Sequence, residues 1–398
     1  MRILVVSNLY PPDVLGGYEM LCAEAAERWA GQGHVVTVLT RRSKHPLPAS
    51  PGLSVRRVLP VKPDQRGRGG RALDAAWHAR SLRATRRIVE AARPDVIATW
   101  GTYGISPAAL SNLYGCGVPS IAFVQDYTLI EHLTQRQPDA GGGAVRRRYA
   151  GALRALAPLA WPPPPPGRWV FPSGAVREEY LRALGPLEAR VIHNGIAVPS
   201  QPPPLPERGP RLRVGALGRL VPEKGWLTLV SAAESLARED PTTAPIVEIH
   251  GPAVDAGFVG ALVDASARAN AAGALVEVGD PLPHEAIAPF MERMDCVAIP
   301  SEWAEPFAVV MLEALAAGRP IVGTSCGGAA DLLEDGNTAL LHEPGDASGC
   351  ARALRRLARE PRLADRISAA GLERLRAECS IDLTAPAIDD ALREAAGG

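Results

Sequence analysis

DCVAIPSEWAEPFAVVMLEALAAGRPIVGTS, residues 295–325, contains a complete strand–helix–strand signal. Residues 295–301 and 319–325 are short apolar runs, which is typical of the buried strands of a parallel sheet. Between them, 306–318 has the length of a helix, with Pro306 suited to the first helical position and Gly318 to the C-terminal stop. This order predicts a βαβ unit, the repeating element of a parallel α/β domain.

The same alternation extends through both halves of the chain. In the second half it predicts strands at 212–217, 246–251 and 274–280, and helices at 226–239, 346–358 and 361–377. In the first half it predicts strands at 3–7, 34–40, 95–100, 120–126, 169–173 and 189–195, and helices at 18–33, 72–92, 106–114 and 174–184. Two doubly wound α/β domains are therefore expected.

A proline-rich stretch separates the two series. Residues 197–211, AVPSQPPPLPERGPR, cannot sustain a helix or an interior strand and are typical of a semi-rigid linker. We therefore expect an N-terminal Rossmann-like, acceptor-binding domain at 1–196, a linker at 197–211 and a C-terminal Rossmann-like donor domain at 212–375. A helical segment at 376–398 is expected to pack back on the first domain.

The composition is that of an ordinary globular chain without net charge. The 398 residues include 43 basic and 43 acidic side chains, and 46% are hydrophobic. This balance excludes a global field that would draw nucleic acid. The six cysteines lack paired spacing, which argues against a disulfide framework and a zinc site. With no signal-peptide pattern and no long apolar stretch, the sequence predicts a cytoplasmic protein.

Three glycine- or glutamate-containing segments follow predicted strands. In PSEWAEPFAVVMLE, the start of a helix would offer free amides to a phosphate, with Glu305 beside them and Glu313 further along. GALGRLVPEKGW offers close backbone approach together with Arg219 and Lys224, and PPDVLGGYE offers Gly16 and Gly17. From spacing alone, these three segments are explained equally well without a ligand, as a helix cap, a solvated loop and a tight turn, respectively.

A fourth segment, FVQDY at 123–127, ends a predicted strand. Asp126 would lie at the ligand edge of the first domain, although an aspartate there is as often a helix cap. His132 follows on the same loop. The sequence contains neither an Asp-x-Asp pair nor a histidine cluster, so it predicts no metal site and no cofactor.

Together and in this order, these segments resemble the family 4 glycosyltransferases over nearly the whole chain. EPFAVVMLE matches that family's two glutamates with seven residues between them, and GRLVPEKG matches its glycine–arginine–lysine segment. RILVVSNLYPPDVLGGYE, VIHNGIAV and AAGRPIVGTSCGGAADLLEDGNTALLHEPGD match its N-terminal, mid-chain and closing segments. The resemblance implies a GT-B fold, in which two Rossmann-like domains face each other across a cleft.

The resemblance also implies a reaction and roles for individual residues. A sugar would pass from a nucleotide diphosphate donor to an acceptor hydroxyl, with retention at the anomeric carbon and without a covalent intermediate. Arg219, Lys224, Gly16 and Gly17 would lie at the donor diphosphate, and Glu313 at the ribose. Glu305 and the amides of Phe307 and Ala308 would contact the transferred sugar. Glu305, Gln125 and Asp126 are the predicted catalytic residues.

Two positions depart from the family pattern, and the milder departure is Asp331, where a glutamate is common. Many members have a histidine before the strand-end aspartate, whereas this chain has Gln125, which can donate a hydrogen bond but cannot carry charge. His132 is the candidate substitute. The departure at Gln125 keeps open a non-catalytic homologue that binds a sugar nucleotide, and a GT-B epimerase or hydrolase is the other alternative.

The acceptor and the donor base are not determined by these residues. UDP is the expected base, with GDP next, and the acceptor is expected to be a small molecule or a lipid-linked molecule. The helix at 72–92 carries Arg80, Arg83 and Arg87. These arginines fit either peripheral docking on a membrane or a solvated face.

Overall fold

A computed structural model of the chain describes residues 1–45, 51–63, 70–134, 165–201, 203–207 and 209–397. The chain divides into two compact units. The first contains Met1–Val14, Tyr18–Ile192 and Pro386–Gly398, and the second contains Leu15–Gly17 and His193–Ala385. Within the described ranges, no helix has both the length and the apolarity needed to cross a membrane.

The first unit is built on a parallel sheet with the strand order β3-β2-β1-β4-β5-β6-β7. Its strands are β1 (Arg2–Val6), β2 (Val35–Arg41), β3 (Leu53–Leu59), β4 (Val96–Trp100), β5 (Ser120–Phe123), β6 (Arg168–Phe171) and β7 (Ala189–Val191). The order reverses between β1 and β4, which makes the sheet doubly wound. β4 and β5 are buried along their whole length, as their unbroken apolar runs predict.

Helices cover this sheet and extend its core. They are α1 (Tyr18–Gly31), α2 (Gly70–Ala92), α3 (Pro107–Gly115), α4 (Thr128–Thr134), α5 (Gly174–Leu184) and most of the C-terminal helix α12 (Ile381–Gly397). Asp389 of α12 accepts hydrogen bonds from Trp29 Nε1 at 2.7 Å and from Gln32 Nε2 at 2.8 Å. The buried Leu392 lies in the same hydrophobic cluster as Trp29. The last residues of the chain are therefore part of the first unit.

The second unit has a parallel sheet with the order β10-β9-β8-β11-β12-β13. Its strands are β8 (Arg213–Leu217), β9 (Ile246–His250), β10 (Leu275–Gly279), β11 (Cys296–Ile299), β12 (Ile321–Gly323) and β13 (Ala339–Leu341). Its helices are α6 (Trp226–Glu239), α7 (Ala256–Ala271), α8 (His284–Glu292), α9 (Val309–Ala316), α10 (Ala347–Arg359) and α11 (Pro361–Cys379). The predicted pair of doubly wound α/β domains is thus confirmed.

Several elements lie outside the sequence predictions. β3 carries Arg56 and Arg57 in mid-strand, which breaks the apolar run, and β13 is only 3 residues long. α7 and α8 were also not expected. α8 contains Pro289 inside the helix, a residue that normally argues against one. These elements form because packing against neighbouring strands and helices stabilises them. Local sequence propensity does not include this tertiary contribution.

The helix expected at 306–318 begins later than predicted, at Val309. Pro306 is therefore not its first residue, and Ala308, with ψ of 118°, is extended. The cause is a tertiary contact. The carbonyl of Glu305 accepts a hydrogen bond from the amide of Gly328 at 2.8 Å, so it is bonded to a different segment of the chain. Residues 305–308 consequently form a non-helical approach to α9.

The proline-rich segment is attached to the second unit by a buried arginine. The fully buried Arg319 donates from Nη2 to the carbonyls of Pro203, at 3.2 Å, and Pro204, at 2.7 Å. Residues 193–196 also belong to this unit, because Ile196 exchanges backbone hydrogen bonds of 2.9 Å with Cys379 and Ile381. The units consequently divide after Ile192 and after Ala385.

Candidate active site

The candidate residues of the second unit follow the carboxyl ends of neighbouring strands. β8 leads into the loop Gly218–Gly225, and β11 leads into Pro300–Ala308. β8 and β11 pair in parallel, and the strand order reverses between them. Loops at such a reversal form the ligand-binding edge of an open α/β sheet.

An ion pair joins these two loops. Lys224 Nζ binds Glu305 Oε1, and Ser301 Oγ donates to Glu305 Oε2 at 2.9 Å. The side chains of Lys224 and Glu305 are only 11% and 15% exposed. Each charge therefore compensates the other in a largely desolvated place. An anion that displaced Glu305 from Lys224 would find a ready cation and leave a carboxylate free to accept hydrogen bonds.

The loop after β8 depends on glycine at one position. Gly225 has φ of +71°, and a Cβ there would lie 1.9 Å from the carbonyl oxygen of Pro300. Only glycine allows the two loops to approach this closely. Trp226 Nε1 donates to the carbonyl of Arg219 at 2.9 Å, which fixes the loop where the Arg219 side chain begins. The Arg219 guanidinium lies 3.6 Å from Glu223.

The approach to α9 presents backbone donors. The amides of Phe307 and Ala308 make no hydrogen bond to the described residues, although both residues are more than nine-tenths buried. Unsatisfied amides at the start of a helix favour an anionic or hydroxyl oxygen. Gly17 lies against the same end of α9, since a Cβ on it would be 2.5 Å from Val309 Cβ. A larger residue at 17 would obstruct this approach.

Glu313 lies on α9 and has no ionic or hydrogen-bonding partner for its carboxylate among the described residues. Burial raises the pKa of Glu313 from 4.5 to about 7. A desolvated carboxyl group without a partner favours the neutral form until a ligand supplies hydrogen-bond donors. Two vicinal hydroxyls are a suitable pair of donors, and they would restore the charged form.

Gln125 and Asp126 belong to the first unit, where they follow β5. They line a small pocket together with Thr102 and Tyr180. The Asp126 carboxylate accepts hydrogen bonds from the amides of Thr102, Tyr103 and Thr128 at 3.1, 3.2 and 2.8 Å. These three donors occupy both oxygens, so the geometry supports a role in positioning the loops more directly than a role in catalysis.

His132, the candidate substitute for the missing family histidine, lies in α4. Burial, together with the charges of Lys62 and His78, lowers the pKa of His132 to about 4. His132 is therefore neutral at physiological pH, so it does not supply the positive charge that Gln125 lacks.

Ser301 is the site residue that the sequence analysis missed. Its hydroxyl holds one oxygen of Glu305, and its carbonyl accepts a 2.7 Å hydrogen bond from Thr324 Oγ1, which follows β12. Its position at the end of the predicted strand 295–301, 4 residues before Glu305, was the available signal. Serine is common in such loops, so that signal has little specificity.

Two protein-family models match the chain. Residues 15–200 match a model described as Glycosyltransferase Family 4, and residues 211–360 match one described as Glycosyl transferases group 1. Glycogen synthase of Mycobacterium tuberculosis is 30% identical over 399 residues, which covers 94% of this chain and 90% of that protein.

Solved structures with the same fold include two that match along their whole length. Sucrose-phosphate synthase from Thermosynechococcus elongatus superposes with a TM-score of 0.73 at 19% identity and covers 98% of both chains. HepE of Anabaena, solved in complex with UDP and glucose, gives a TM-score of 0.68 at 20% identity and covers 99% of both chains. Likeness at this level of identity shows the fold, which is the GT-B arrangement of two Rossmann-like domains.

Proposed function

The chain belongs to the family 4 glycosyltransferases, and on that premise we propose that it is a metal-independent, retaining enzyme that uses a UDP-sugar. It is a hexosyltransferase-type enzyme of GT-B fold that uses a nucleotide-sugar donor. The base, the stereochemistry, the acceptor and the independence from metal are the proposed parts. Retention follows from the family resemblance, and UDP is supported by its presence in the HepE complex.

The observation that carries the proposal is the donor set around Glu305. Lys224, Ser301 and the free amides of Phe307 and Ala308 all lie on loops that follow β8 and β11. In our proposal Lys224 binds the diphosphate in place of Glu305, and Arg219 supplies a second cation to the diphosphate. Glu305 then accepts hydrogen bonds from the sugar. The site thus exchanges one internal ion pair for two contacts with the donor.

Charge balance supports transfer without a metal. A departing diphosphate needs positive charge, which a divalent ion often supplies in other enzymes. Here Lys224 and Arg219 offer fixed positive charges at one edge of the sheet, and the dipole of α9 adds to them. We propose that they suffice to stabilise the leaving group, with Gly16 and Gly17 leaving room for its approach.

The proposed acceptor is a small molecule or a lipid-linked molecule bound by the first unit, and a lipid-linked one would place the enzyme at a membrane surface. The names of proteins similar to this chain indicate that the acceptor varies among them, since one relative is a glycogen synthase and one protein of the same fold is a sucrose-phosphate synthase. In this proposal Gln125 contacts the transferred sugar, and Asp126 holds its loop.

A thermal-shift panel of UDP, GDP, ADP, TDP and their sugars, without added metal, tests the donor assignment. A ligand at a hundredfold its Kd stabilises the folded state by about 2.7 kcal/mol, which is a measurable shift. We expect UDP and one UDP-sugar to give the largest shift. Stabilisation by GDP alone would change the base, and stabilisation by none of them would favour a homologue that has lost the donor site.

Removal of metals tests the leaving-group proposal. EDTA at millimolar concentration is expected to leave donor turnover unchanged, because the positive charges in the site are covalent parts of the chain. Nucleotide release from the selected donor, with and without EDTA, is the measurement. A loss of activity that magnesium or manganese restored would contradict metal independence.

Gln125→Ala is expected to change the turnover rate or the sugar preference more than the affinity for the nucleotide alone, because Gln125 is proposed to contact only the sugar. Turnover of several UDP-sugars and the Kd of UDP are the two measurements. Gln201→Ala, at an exposed position of the linker, is the matched control. Unchanged turnover in the Gln125 variant would place this residue outside the donor site.

A further inference from the structure

The ring of His193 stacks on the ring of Phe307. The two centroids are 4.9 Å apart, and the planes are nearly parallel at 7°. This spacing lies within the range of favourable offset aromatic pairs. His193 is the first residue of the second unit after the chain leaves the first, whereas Phe307 lies on the approach to α9. The stack therefore joins two segments that are distant in sequence.

Carboxylates on two further elements hold the histidine ring. Nδ1 lies 4.0 Å from Asp331 Oδ2, and Nε2 lies 3.8 Å from Glu378 Oε2. Arg374 pairs with Glu378 and donates to the carbonyl of Asp331 at 3.0 Å, which ties the two elements together. A carboxylate near each ring nitrogen favours this orientation of the ring against Phe307.

The stack is important for the position of Phe307 because few backbone hydrogen bonds of the described residues hold this segment. Residues 305–308 are not helical, and the amides of Phe307 and Ala308 make no hydrogen bond within the described residues. The position of these amides consequently depends on the carbonyl of Glu305 and on the packing of the Phe307 side chain. Donors that stabilise a reacting group have to be held to within a fraction of an ångström.

We propose that His193 is a positioning residue for sugar transfer, which fixes the Phe307 and Ala308 amides through its stack on the Phe307 ring. This inference rests on the proposed function, because it assigns those amides to the transferred sugar. The ring acts by its shape and orientation, and the flanking carboxylates serve to orient it. Because these amides are assigned to the sugar, we expect the affinity for the free nucleotide to change little.

Three variants separate the stacking of the His193 ring from its contacts with the two carboxylates. His193→Ala is expected to lower kcat by about tenfold to 100-fold, a typical cost of an ångström-scale misplacement, with the Kd of UDP within about threefold of the parent. His193→Phe keeps a ring and is expected to restore most of kcat. His193→Gln keeps hydrogen-bonding capacity without the ring and is expected to resemble alanine. The measurements are nucleotide release from UDP-glucose or another donor from the panel, the UDP affinity, and circular-dichroism melting.

Each outcome distinguishes this inference from the function on which it rests. An active parent with an equally active His193→Ala variant overturns the positioning role alone. Rescue by glutamine and not by phenylalanine also overturns it, because the carboxylate contacts would then be the essential ones. A parent that binds no nucleotide sugar refutes the proposed function and the positioning role together. A folded alanine variant with reduced kcat, unchanged UDP affinity and phenylalanine rescue supports the role.

Discussion

Replacement of Lys224 by alanine is expected to lower kcat/KM for the nucleotide sugar by about 100-fold to 1000-fold. Losing one preorganised donor at a developing charge typically has a cost of this size. Lys224 is largely buried and is paired with Glu305, so its charge would act on the diphosphate with little screening by water. In the proposed exchange, Lys224 stabilises the leaving group, and its binding to the diphosphate releases Glu305.

The same substitution also removes a partner from a buried carboxylate. Among the described residues, the Glu305 carboxylate would keep the hydroxyl of Ser301 as its one side-chain partner, and an unpaired buried charge costs about 3–5 kcal/mol of folding stability. Stability and activity therefore have to be measured together, by melting and by steady-state kinetics. Lys224→Arg retains the charge and should lose less activity than Lys224→Ala.

A double-mutant cycle completes this test. Lys224→Ala and Glu305→Gln, alone and combined, should be strongly non-additive in kcat/KM, because the two residues act as a unit. Arg238→Ala is the matched control, since Arg238 is 69% exposed and pairs with Glu234 at the surface. Full activity in the folded Lys224→Ala protein would show that the diphosphate binds elsewhere.

Replacement of Glu313 by glutamine is expected to weaken nucleotide binding and, at the same time, to stabilise the ligand-free protein at alkaline pH. Burial raises the pKa of this carboxyl to about 7, so the folded state favours its neutral form. Its contribution to stability is complete below the unfolded pKa near 4.5 and is lost as the pH rises through 7. The loss amounts to at most about 3 kcal/mol, from 1.36 kcal/mol per pKa unit.

Binding should show the opposite dependence on pH. The ribose hydroxyls would donate to the ionised carboxylate, so the affinity of the parent for UDP should rise as the pH increases from 5.5 to 8. Glu313→Gln should reduce this dependence to the part that the terminal phosphate of UDP contributes, and should weaken binding at pH 8 by about tenfold or more, the cost of losing hydrogen bonds to a charged group.

Two measurements and one control decide this prediction. They are the melting temperature without ligand at pH 5 and pH 8, and the UDP affinity over the same range. Glu373→Gln changes an exposed glutamate of α11 and should alter neither. A Glu313→Gln variant that bound UDP as tightly as the parent at pH 8 would remove this residue from the ribose site, whatever its stability.

By itself, the sequence determined the architecture and the chemical class. Unbroken apolar runs, helical spacing and the proline-rich stretch at 197–211 predicted two doubly wound domains, because these patterns follow from local geometry and burial. Motif order predicted the family. The resemblance to that family, and not spacing alone, assigned Glu305, Lys224 and Arg219 to one donor site.

Only the tertiary structure decided how these residues are held. The start of α9 at Val309, the pairing of Lys224 with Glu305 and the stack of His193 on Phe307 all depend on segments distant in sequence. The raised pKa of Glu313 likewise arises from burial by surrounding elements. The spacing of residues along the sequence does not predict which distant group will form a hydrogen bond with them or exclude water from them. These features are therefore determined only by the folded structure.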